Sequence, residues 1–378
     1  MLEKITEGRQ FPYRLKSVGV SLPKRMAIKF PKLIKYEDPY FRGVIAINNI
    51  LNGLCGGGIR LNKKTDLNML IKLAKNMSLK YKLHGIKCGG AKALIIPKNN
   101  KFNRKQLRGF IKKFIDDTNK QLSPFIYLGG VDIGISFDDL PVKHYHKSIF
   151  FTAYGILMVI KHLAIPKEKL VVLDGTGKVG IQLLKLFIKN NYKIVGVTNK
   201  KIKLFNNFKR KDLFRILYLL EKWGDDGLVK FNELSKGKYK VKSILDKRFD
   251  IFIPCSYDYI LNYTNIKKFK ANVVIPTTNL PFDDYSEKKF TSVGGFYVPS
   301  FVSGSGAILY NHYKKYLISD NVIKLFFWIK FRNIINQLIK SKSIDKFYAT
   351  IDSKTVKDSR CWKIRLTLIK YFKGLGIR

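Results

Sequence analysis

Lys92 has the residue type and the surroundings for acid–base chemistry. It follows two glycines in GIKCGGAKALI (85–95) and has apolar neighbours on both sides. Apolar surroundings disfavour the charged ammonium and lower the pKa of a lysine, so Lys92 can act as a general base near neutral pH. The alternative is a turn before a buried strand, with the Lys92 ammonium reaching out to water along its aliphatic stem. This stretch alone does not decide between the two.

A second lysine, Lys80, lies in the segment DLNMLIKLAKNMSLKYK (66–82). The apolar residues of this segment recur at helical spacing, which predicts an amphipathic helix that begins near Asp66. Lys80 falls near the end of the predicted helix, and Lys92 falls on the loop that follows it. The two lysines could therefore converge on one pocket.

Asp132 stands between an apolar strand, FIYLGG (125–130), and Gly134. A predicted helix, RKQLRGFIKKFIDDTNK (104–120), precedes this strand. A carboxylate at such a strand end can face a cleft. The alternative is an aspartate that caps a turn, which is a common use of the residue in loops.

Glycines cluster upstream of these residues. The segment GVIAINNI (43–50) is predicted to be a strand, and NGLCGGGIR (52–60) follows it with Gly56, Gly57 and Gly58 in succession. Glycine permits unusual φ and ψ angles and the close approach of a ligand. The cluster is therefore a candidate for a position beside a bound small molecule.

The segment LVVLDGTGKVGIQLLKLFIKNNYKIVGVTN (170–199) has the order strand, glycine turn, helix, strand. Gly175, Gly177 and Gly180 fill the pattern G-x-G-x-x-G: the first makes the turn, the second admits a pyrophosphate and the third lets the helix pack on the strand. The helix N-terminus adds free N–H groups and the positive end of its dipole. The pattern predicts a dinucleotide site whose remaining residues are Thr176, Lys178 and Val179.

The second strand of this unit does not end in an acidic residue, which would hydrogen-bond the adenine ribose of NAD. No Asp or Glu occurs between Asp174 and Asp212. The strand end instead carries polar and basic residues: Thr198, Asn199, Lys200 and Lys201. We therefore expect NADP to be accepted at least as well as NAD. The alternative is that these lysines merely follow the basic composition of the chain.

Three later segments are short, apolar and end in small or polar residues: FDIFIPCS (249–256), ANVVIPTTN (271–279) and SVGGFYVPSF (292–301). They are predicted to be later strands of a doubly wound sheet, whose carboxyl ends face a ligand crevice. Two helical segments, at about 305–318 and 320–341, and a basic tail follow.

The composition indicates a folded protein with room for two cores, since the chain has 378 residues of which 46% are hydrophobic. No secretory signal and no comfortable membrane span are present. The scattered cysteines show neither metal-type nor disulfide-type spacing, which favours a reducing compartment; they are Cys55, Cys88, Cys255 and Cys361. We expect a soluble, cytoplasmic protein without a metal.

The net charge of +45 could indicate binding to nucleic acid or to another anionic partner. The lysines are, however, spread along nearly the whole chain and accompany abundant Ile, Asn, Tyr and Phe. This mixture is typical of a compositionally biased genome, which we favour over functional polyanion binding.

Together these motifs resemble the Glu/Leu/Phe/Val family of amino-acid dehydrogenases, from about residue 43 to 312. The resemblance is closer to the leucine, phenylalanine and tryptophan type than to glutamate dehydrogenase. It is carried by motifs in the family's order: GGGIR (56–60), KNMSLK (75–80), CGGAK (88–92), VDIG (131–134), TAYG (152–155), GTGKVG (175–180) and the FDIFIPCS…TTN run.

The resemblance implies an α/β fold of two domains. The first, 1–147, would be a substrate-binding and oligomerisation domain, and the second, 148–329, a Rossmann-type doubly wound dinucleotide-binding domain. C-terminal helices, at about 330–378, could pack back on the first. The expected function is reversible, NAD(P)-dependent oxidative deamination of an L-amino acid to its 2-oxo acid and ammonia, in a chain that forms a homo-oligomer.

The resemblance also implies roles for individual residues. Lys80 would bind the substrate α-carboxylate, Lys92 would activate the water that attacks the imino carbon, and Asp132 would exchange a proton with the amine. Thr152 and Asn279 match positions near the nicotinamide and its ribose, and Gly57 and Gly58 line the substrate end. The charge of Lys80 would lower the pKa of Lys92 further.

Two glycines bear on substrate size. Glutamate-specific members of the family have a lysine at the position of Gly56, and leucine-type members have larger residues at the positions of Gly56 and Gly130. Both changes are expected to enlarge the pocket and to redirect preference toward an aromatic substrate, phenylalanine or tryptophan. The alternatives are a leucine/valine-type enzyme, or a weakened basic homologue that binds nucleic acid or an acidic partner.

Some residues depart from the family pattern. The segment N-A-G-G, whose asparagine helps to hold the substrate, corresponds to 304–307, where Gly304 replaces the amide. Ile135 stands for a threonine and Asn76 for a glycine. The loss of one substrate hydrogen bond is expected to weaken activity without abolishing it, by about 1–3 kcal/mol.

Overall fold

The computed structural model describes residues 30–353, except 64, 100, 142–146 and 342. Within this range two β-sheets, each flanked by helices, form an α/β protein of two domains, as expected. The expectations for the N-terminal segment, for Cys361 and for the basic tail lie outside the described residues. The division of the chain at 147/148 stays a prediction.

The first sheet has five strands in the order β1-β2-β4-β3-β5. Their bounds are β1 Lys32–Glu37, β2 Phe41–Ile47, β3 Leu54–Leu61, β4 Gly89–Pro97 and β5 Ile126–Val131. Strands β1 and β4 run antiparallel to β2, whereas β3 runs parallel to both β4 and β5. The strands predicted at 43–50 and 125–130 are thus confirmed.

Two helices cover the two faces of this sheet: α1 Leu67–His84 and α2 Arg104–Leu122. Helix α1 begins where the Asp66 carboxylate accepts a hydrogen bond from the Met69 N–H at 2.7 Å, and it ends at Gly85, which has a φ of 69°. This left-handed conformation favours glycine at the end of a helix. Both helices confirm the sequence prediction.

Strand β4 lies in the middle of the sheet and presents alternate side chains to the two helices. Ala93 and Ile95 pack in the core on the α2 side, whereas Leu94 packs with Leu70 of α1. Lys92, two residues before Leu94, therefore belongs to the α1 face. Helix α1 comes close here because Gly90 has no side chain: a methyl group at Gly90 would lie 2.2 Å from the Ser78 backbone nitrogen.

The second sheet has six strands in the order β11-β10-β9-β6-β7-β8. Their bounds are β6 Val171–Asp174, β7 Ile194–Thr198, β8 Lys203–Phe205, β9 Ile251–Pro254, β10 Val273–Val274 and β11 Phe296–Tyr297. All neighbouring strands are parallel except β8, which runs antiparallel to β7. The order reverses between β6 and β9, which is where ligands bind in doubly wound sheets.

The remaining α-helices are α3 Ser148–His162, α4 Lys178–Lys189, α5 Arg210–Trp223, α6 Asp226–Leu234, α7 Asp284–Ser292, α8 Ser300–Ser303, α9 Gly306–Lys314, α10 Asp320–Lys340 and α11 Ile344–Asp352. Short 3-10 turns occupy Phe137–Asp139 and Ile266–Lys268. Helices α9 and α10 confirm the two predicted C-terminal helical segments. Helix α11 contacts the first domain, since the Lys82 ammonium lies 2.6 Å from the Asp352 carboxylate.

Candidate functional site

Lys92 lies inside strand β4, paired in register with Ala46 of β2. The prediction that it lies on a loop is wrong, because β4 begins at Gly89 and continues through the lysine. Its side chain is 4% exposed, and its Nζ lies 2.6 Å from Asp132 Oδ2. The alternative of a lysine that reaches water is therefore excluded in this structure.

Asp132 follows β5 and does not act as a cap through its side chain. Its Oδ2 accepts a hydrogen bond from Arg60 Nε at 2.8 Å in addition to the contact with Lys92. The carboxylate thus lies between two cations. Of the two interpretations of Asp132 from the sequence, a carboxylate that faces a cleft and an aspartate that caps a turn, these side-chain contacts agree with the first.

Arg60, the last residue of the GGGIR motif, also belongs to the site. No role was predicted for it from the sequence. Its side chain is 2% exposed, and its Nη1 donates to Asp258 Oδ2 at 2.7 Å. Asp258 follows β9 of the second sheet, so Arg60 joins the two domains. The only signal in the sequence was a charged residue directly after an apolar, glycine-rich segment.

The charges of this cluster act on one another. Burial lowers the pKa of Lys92 below its ordinary value, an effect that Asp132 opposes and Arg60 reinforces. Burial would raise the pKa of Asp132, but the charges of Lys92 and Arg60 outweigh it and hold this pKa well below its usual range. Asp132 is therefore a carboxylate at neutral pH, and Lys92 gives up its proton more easily than an exposed lysine.

Lys80 lies in α1 on the side that faces β4 and is buried. Its Nζ donates to Asn279 Oδ1 at 2.7 Å, across the boundary between the two domains. Burial, reinforced by the charge of Lys92, lowers the pKa of Lys80 to about 7. The structure thus brings Lys80 and Lys92 into one electrostatic environment, as expected, although Lys92 lies in a strand and not in the predicted loop.

The glycine cluster is not a loop but the interior of strand β3, where none of the three residues has a positive φ. A methyl group at Gly58 would lie 3.1 Å from Lys92 Nζ, so Gly58 borders the centre. A methyl group at Gly57 would overlap the carbonyl oxygen of Ala91 in β4. The absence of a side chain at Gly57 therefore accommodates the neighbouring strand.

Gly56 and Gly130, the two positions expected to enlarge the substrate pocket, differ in the space around them. At Gly130 a methyl group would meet no atom closer than 3.8 Å, so this glycine does leave space. At Gly56 a methyl group would lie 2.6 Å from Tyr81 Oη and 3.4 Å from Cys88 Sγ. The expectation that Gly56 enlarges the pocket is wrong, because Tyr81 fills the space.

Two of the three departures from the family pattern, Gly304 and Asn76, lie at this site, whereas Ile135 packs in the core of the first sheet. Gly304 lies beside Lys80, since a methyl group there would be 3.3 Å from Lys80 Nζ. Asn76 is buried and donates from Nδ2 to the Asn279 carbonyl at 2.7 Å and to Ser300 Oγ at 2.8 Å. Asn76 thus holds in place the segment that carries the partner of Lys80.

The glycine turn has the form that a dinucleotide pyrophosphate requires. Gly175 has a φ of 110°, and a methyl group at Gly180 would lie 1.9 Å from the Gly175 carbonyl oxygen, so the turn needs both glycines. At Gly177, the N-cap of α4, a methyl group would meet nothing within 4 Å, and no side chain caps the helix. The open position and the free N–H groups of α4 fit a phosphate. Thr176 is buried in this turn, Lys178 is exposed and Val179 is half-buried.

The other candidate coenzyme residues lie around the same edge. Thr198 ends β7 and donates from Oγ1 to Asp174 Oδ1 at 2.5 Å, and Asn199 follows it with Lys200 exposed. Thr152 lies in α3, half-buried, with its hydroxyl bonded to the Ser148 carbonyl at 3.0 Å. Asn279 is half-buried at the domain boundary.

The fold and the site define a two-domain α/β protein with a Rossmann-type sheet and a buried lysine–aspartate pair. Comparison with known proteins gives the family. Residues 26–143 match the Glu/Leu/Phe/Val dehydrogenase dimerisation domain, and residues 146–315 match the Glutamate/Leucine/Phenylalanine/Valine dehydrogenase family. The chain belongs to this family of NAD(P)-dependent amino-acid dehydrogenases.

Relatives of three substrate types match at low identity. A glutamate dehydrogenase of Thermotoga maritima is 22% identical, with 84% of this chain and 82% of the relative covered. A phenylalanine dehydrogenase of Lysinibacillus sphaericus is 23% identical, with 74% and 77% covered. A leucine dehydrogenase of Bacillus cereus is 24% identical, with 72% and 74% covered. These similarities do not separate the three substrates.

Solved structures share the fold. The hetero-hexameric glutamate dehydrogenase of Thermus thermophilus, in its leucine-bound form, gives a TM-score of 0.70 at 16% identity and covers 82% of this chain and 83% of its own. Plasmodium falciparum glutamate dehydrogenase gives 0.68 at 19% identity, with 85% and 79% covered. None of the helices in the described part of the chain has the length and apolarity to cross a membrane.

Proposed function

We propose that this protein catalyses the reversible oxidative deamination of an L-amino acid with a hydrophobic side chain. The amino acid, water and NAD(P)⁺ give the 2-oxo acid, ammonium, NAD(P)H and a proton. The observation that carries the proposal is the contact of 2.6 Å between the buried Lys92 ammonium and the Asp132 carboxylate, beside a second buried lysine. Such an arrangement suits proton transfer in a site that excludes water.

Each residue of the cluster has a role in this proposal. Lys80, when charged, binds the substrate α-carboxylate, which replaces Asn279 as its partner. Asp132 exchanges a proton with the substrate amine. Lys92 in its neutral form takes a proton from the water that attacks the imino carbon. Bound NAD(P)⁺ supplies the acceptor for the substrate hydride.

Arg60 positions these groups without reacting. It fixes the Asp132 carboxylate from one side and reaches Asp258 of the second domain from the other. The two contacts connect closure of the domain boundary with the orientation of Asp132. We propose that closure holds the substrate against the coenzyme while water is expelled.

For the substrate, we propose an aromatic side chain, phenylalanine or tryptophan, because Gly130 leaves open space beside β3. A leucine- or valine-type substrate is the second candidate, and it is favoured by Tyr81, which fills the space at Gly56.

Gly130→Ala separates the two candidates. The added methyl group meets no atom closer than 3.8 Å, so the protein should fold normally. If the substrate ring uses this space, kcat/KM for the aromatic substrate should fall roughly tenfold or more, while kcat/KM for leucine changes less. Equal losses for both, or faster turnover of leucine by the wild type, would favour the branched-chain candidate.

The function itself is tested by NAD(P)H formation, followed by absorbance, from a panel of L-amino acids at alkaline pH with each coenzyme. The panel contains Phe, Trp, Leu, Val and Glu. We expect turnover of a hydrophobic member. If every member is inert while the protein binds nucleic acid tightly and with steep salt dependence, a binding function replaces the enzyme.

We further propose that the chain assembles into a homo-oligomer through its N-terminal domain, because this part matches a dimerisation domain. Light scattering of the purified protein at micromolar concentration would give the mass of the assembly. A mass equal to that of one chain, 43.7 kDa, would refute the proposal.

A further inference from the structure

In doubly wound dinucleotide-binding folds the adenine ribose lies at the end of the second strand of the βαβ unit, which here is β7. A carboxylate from an element outside this unit lies at that corner. Helix α6 begins beside the glycine turn, directly after Asp225. Thr176 Oγ1 donates to Asp225 Oδ1 at 2.9 Å, and Asn199 Nδ2 donates to the Asp225 backbone carbonyl at 2.8 Å. Asp225 therefore connects the glycine turn with the end of β7, although it lies 26 residues beyond Asn199.

Asp225 is available to a ligand. Its side chain is exposed, and within the described residues Oδ2 has no hydrogen-bond partner. The contact through Oδ1 fixes the orientation of the carboxylate, and Asn199 fixes the backbone beneath it. Asn199 is itself held, because its Oδ1 accepts the N–H groups of Lys201 at 2.9 Å and Ile202 at 3.0 Å.

The lysines at this corner do not form a free cationic pocket. Lys201 Nζ lies 2.5 Å from Asp226 Oδ1, which compensates its charge. Lys200 is exposed, and Asp225 lies at the same corner with the opposite sign. The charges of the two lysines are thus balanced by two aspartates, which the expectation of a 2′-phosphate site did not include.

We propose that Asp225 supplies the carboxylate that accepts hydrogen bonds from the adenine-ribose hydroxyls, so that the protein selects NAD against NADP. A carboxylate at this position binds the free 2′-hydroxyl and repels a 2′-phosphate. The proposal rests on the dinucleotide-binding function of the glycine turn. It replaces the expectation that NADP is accepted at least as well as NAD.

The test is calorimetric binding of NAD, NADP and the nicotinamide-free probes ADP-ribose and 2′-phospho-ADP-ribose to the full chain. The wild type should bind NAD at least about tenfold more tightly than NADP, and ADP-ribose more tightly than its 2′-phosphate, as expected for a charge-assisted hydrogen bond. Asp225→Asn keeps the size of the side chain and should lose most of this ratio, through weaker binding of NAD and stronger binding of NADP.

Asp226→Asn is the matched control. It removes the same charge one residue away, but from a carboxylate that neutralises Lys201 and not from the proposed ribose ligand. Asp226→Asn should therefore leave the affinity for NAD unchanged, whereas Asp225→Asn should lower it. Equal or tighter binding of NADP by the wild type overturns the proposal. So does an affinity for NAD that Asp225→Asn leaves unchanged, or one that Asp226→Asn lowers as much as Asp225→Asn does. If Asp225→Asn does not fold, the ratio of the wild-type affinities for NAD and NADP still tests the proposal.

Binding needs no turnover, so failure of the two proposals can be distinguished. If NAD is preferred in binding but no amino acid is oxidised, the assignment of Asp225 is supported and the proposed amino-acid dehydrogenase activity is refuted. If amino acids are oxidised with NADP as efficiently as with NAD, the activity stands and the role of Asp225 is refuted.

Discussion

The buried centre and the coenzyme corner use the same kinds of residue in opposite environments. At the centre, the side chains of Lys92 and Arg60 are 2–4% exposed and share one carboxylate. At the corner, Lys201 and Asp226 form an ion pair with both side chains half exposed. Breaking a buried pair costs about 3–5 kcal/mol because a charge is left without a partner. An exposed pair contributes about 0–1 kcal/mol.

This difference in burial indicates which property of the protein each region controls. The charges of the centre are paired with one another inside the protein. In the proposed function these charges set both proton transfer and the stability of the closed domains. The corner contributes little until a coenzyme displaces water from it. We therefore expect large effects on rate and stability at the centre, and effects confined to coenzyme choice at the corner.

The largest effect is expected for Lys92→Met. Loss of a general base typically lowers kcat roughly 100- to 10,000-fold. The measurement is steady-state deamination, with NAD binding measured separately to show that the nucleotide site is intact. Lys105→Met, on the exposed surface of α2, is the matched control and should retain wild-type activity. Comparable activity of Lys92→Met and the control would contradict the role of the centre.

Arg60→Met should lower the free energy of unfolding by about 3–5 kcal/mol, since Asp132 and Asp258 both lose a buried partner. Arg60 lowers the pKa of Lys92, so its removal should move the rising limb of the pH–rate profile to higher pH. Denaturant melts and the profile measure the two effects. A loss of stability with no movement of the limb would show that Arg60 supports the fold without acting on Lys92.

Lys80→Met should act mainly on substrate binding. A charge-assisted hydrogen bond to the substrate carboxylate contributes about 1.5–3 kcal/mol, so KM for the amino acid should rise by roughly 10- to 150-fold. Lys75→Met, on the exposed face of the same helix, is the matched control and should leave the KM for the amino acid unchanged. An unchanged KM for the amino acid, with only kcat reduced, would assign Lys80 to the chemistry instead.

The smallest effect is expected for Lys201→Met at the corner. The variant loses an exposed ion pair, so the free energy of unfolding should fall by less than about 1 kcal/mol, and kcat with NAD should stay near the wild-type value. Thermal denaturation and steady-state kinetics provide the measurements. A loss as large as that of Arg60→Met would remove the contrast between the two regions.

The sequence predicted the structural elements that depend on residues close together in the chain. Helix α1 followed from the spacing of its apolar residues, and the glycine turn followed from a pattern six residues long. Lys92 was misplaced because β4 is defined by its pairing with β2, more than 40 residues earlier in the chain. A lysine between a loop and a strand gives no local signal for this pairing.

The contacts that the sequence did not reveal join distant segments. Arg60 and Asp258 are 198 residues apart. Tyr81 fills the space at Gly56, which only the packing of α1 on the sheet can show. Asp225, the residue before α6, contacts the end of β7 although it lies 26 residues beyond Asn199, outside the stretch 175–211 that the sequence analysis searched for a carboxylate. In each case the identity of the residue was visible and its partner was not.

The central claim is that Lys92 acts as an uncharged base inside the protein, and the pH dependence of kcat/KM tests it most directly. The measurement compares the wild type with Lys92→Arg, whose guanidinium stays charged throughout the accessible range. We predict a rising limb in the wild type with an apparent pKa below the ordinary lysine value of 10.5, and no such limb in Lys92→Arg. A wild-type limb at the ordinary value, or the same limb in both proteins, would contradict the claim.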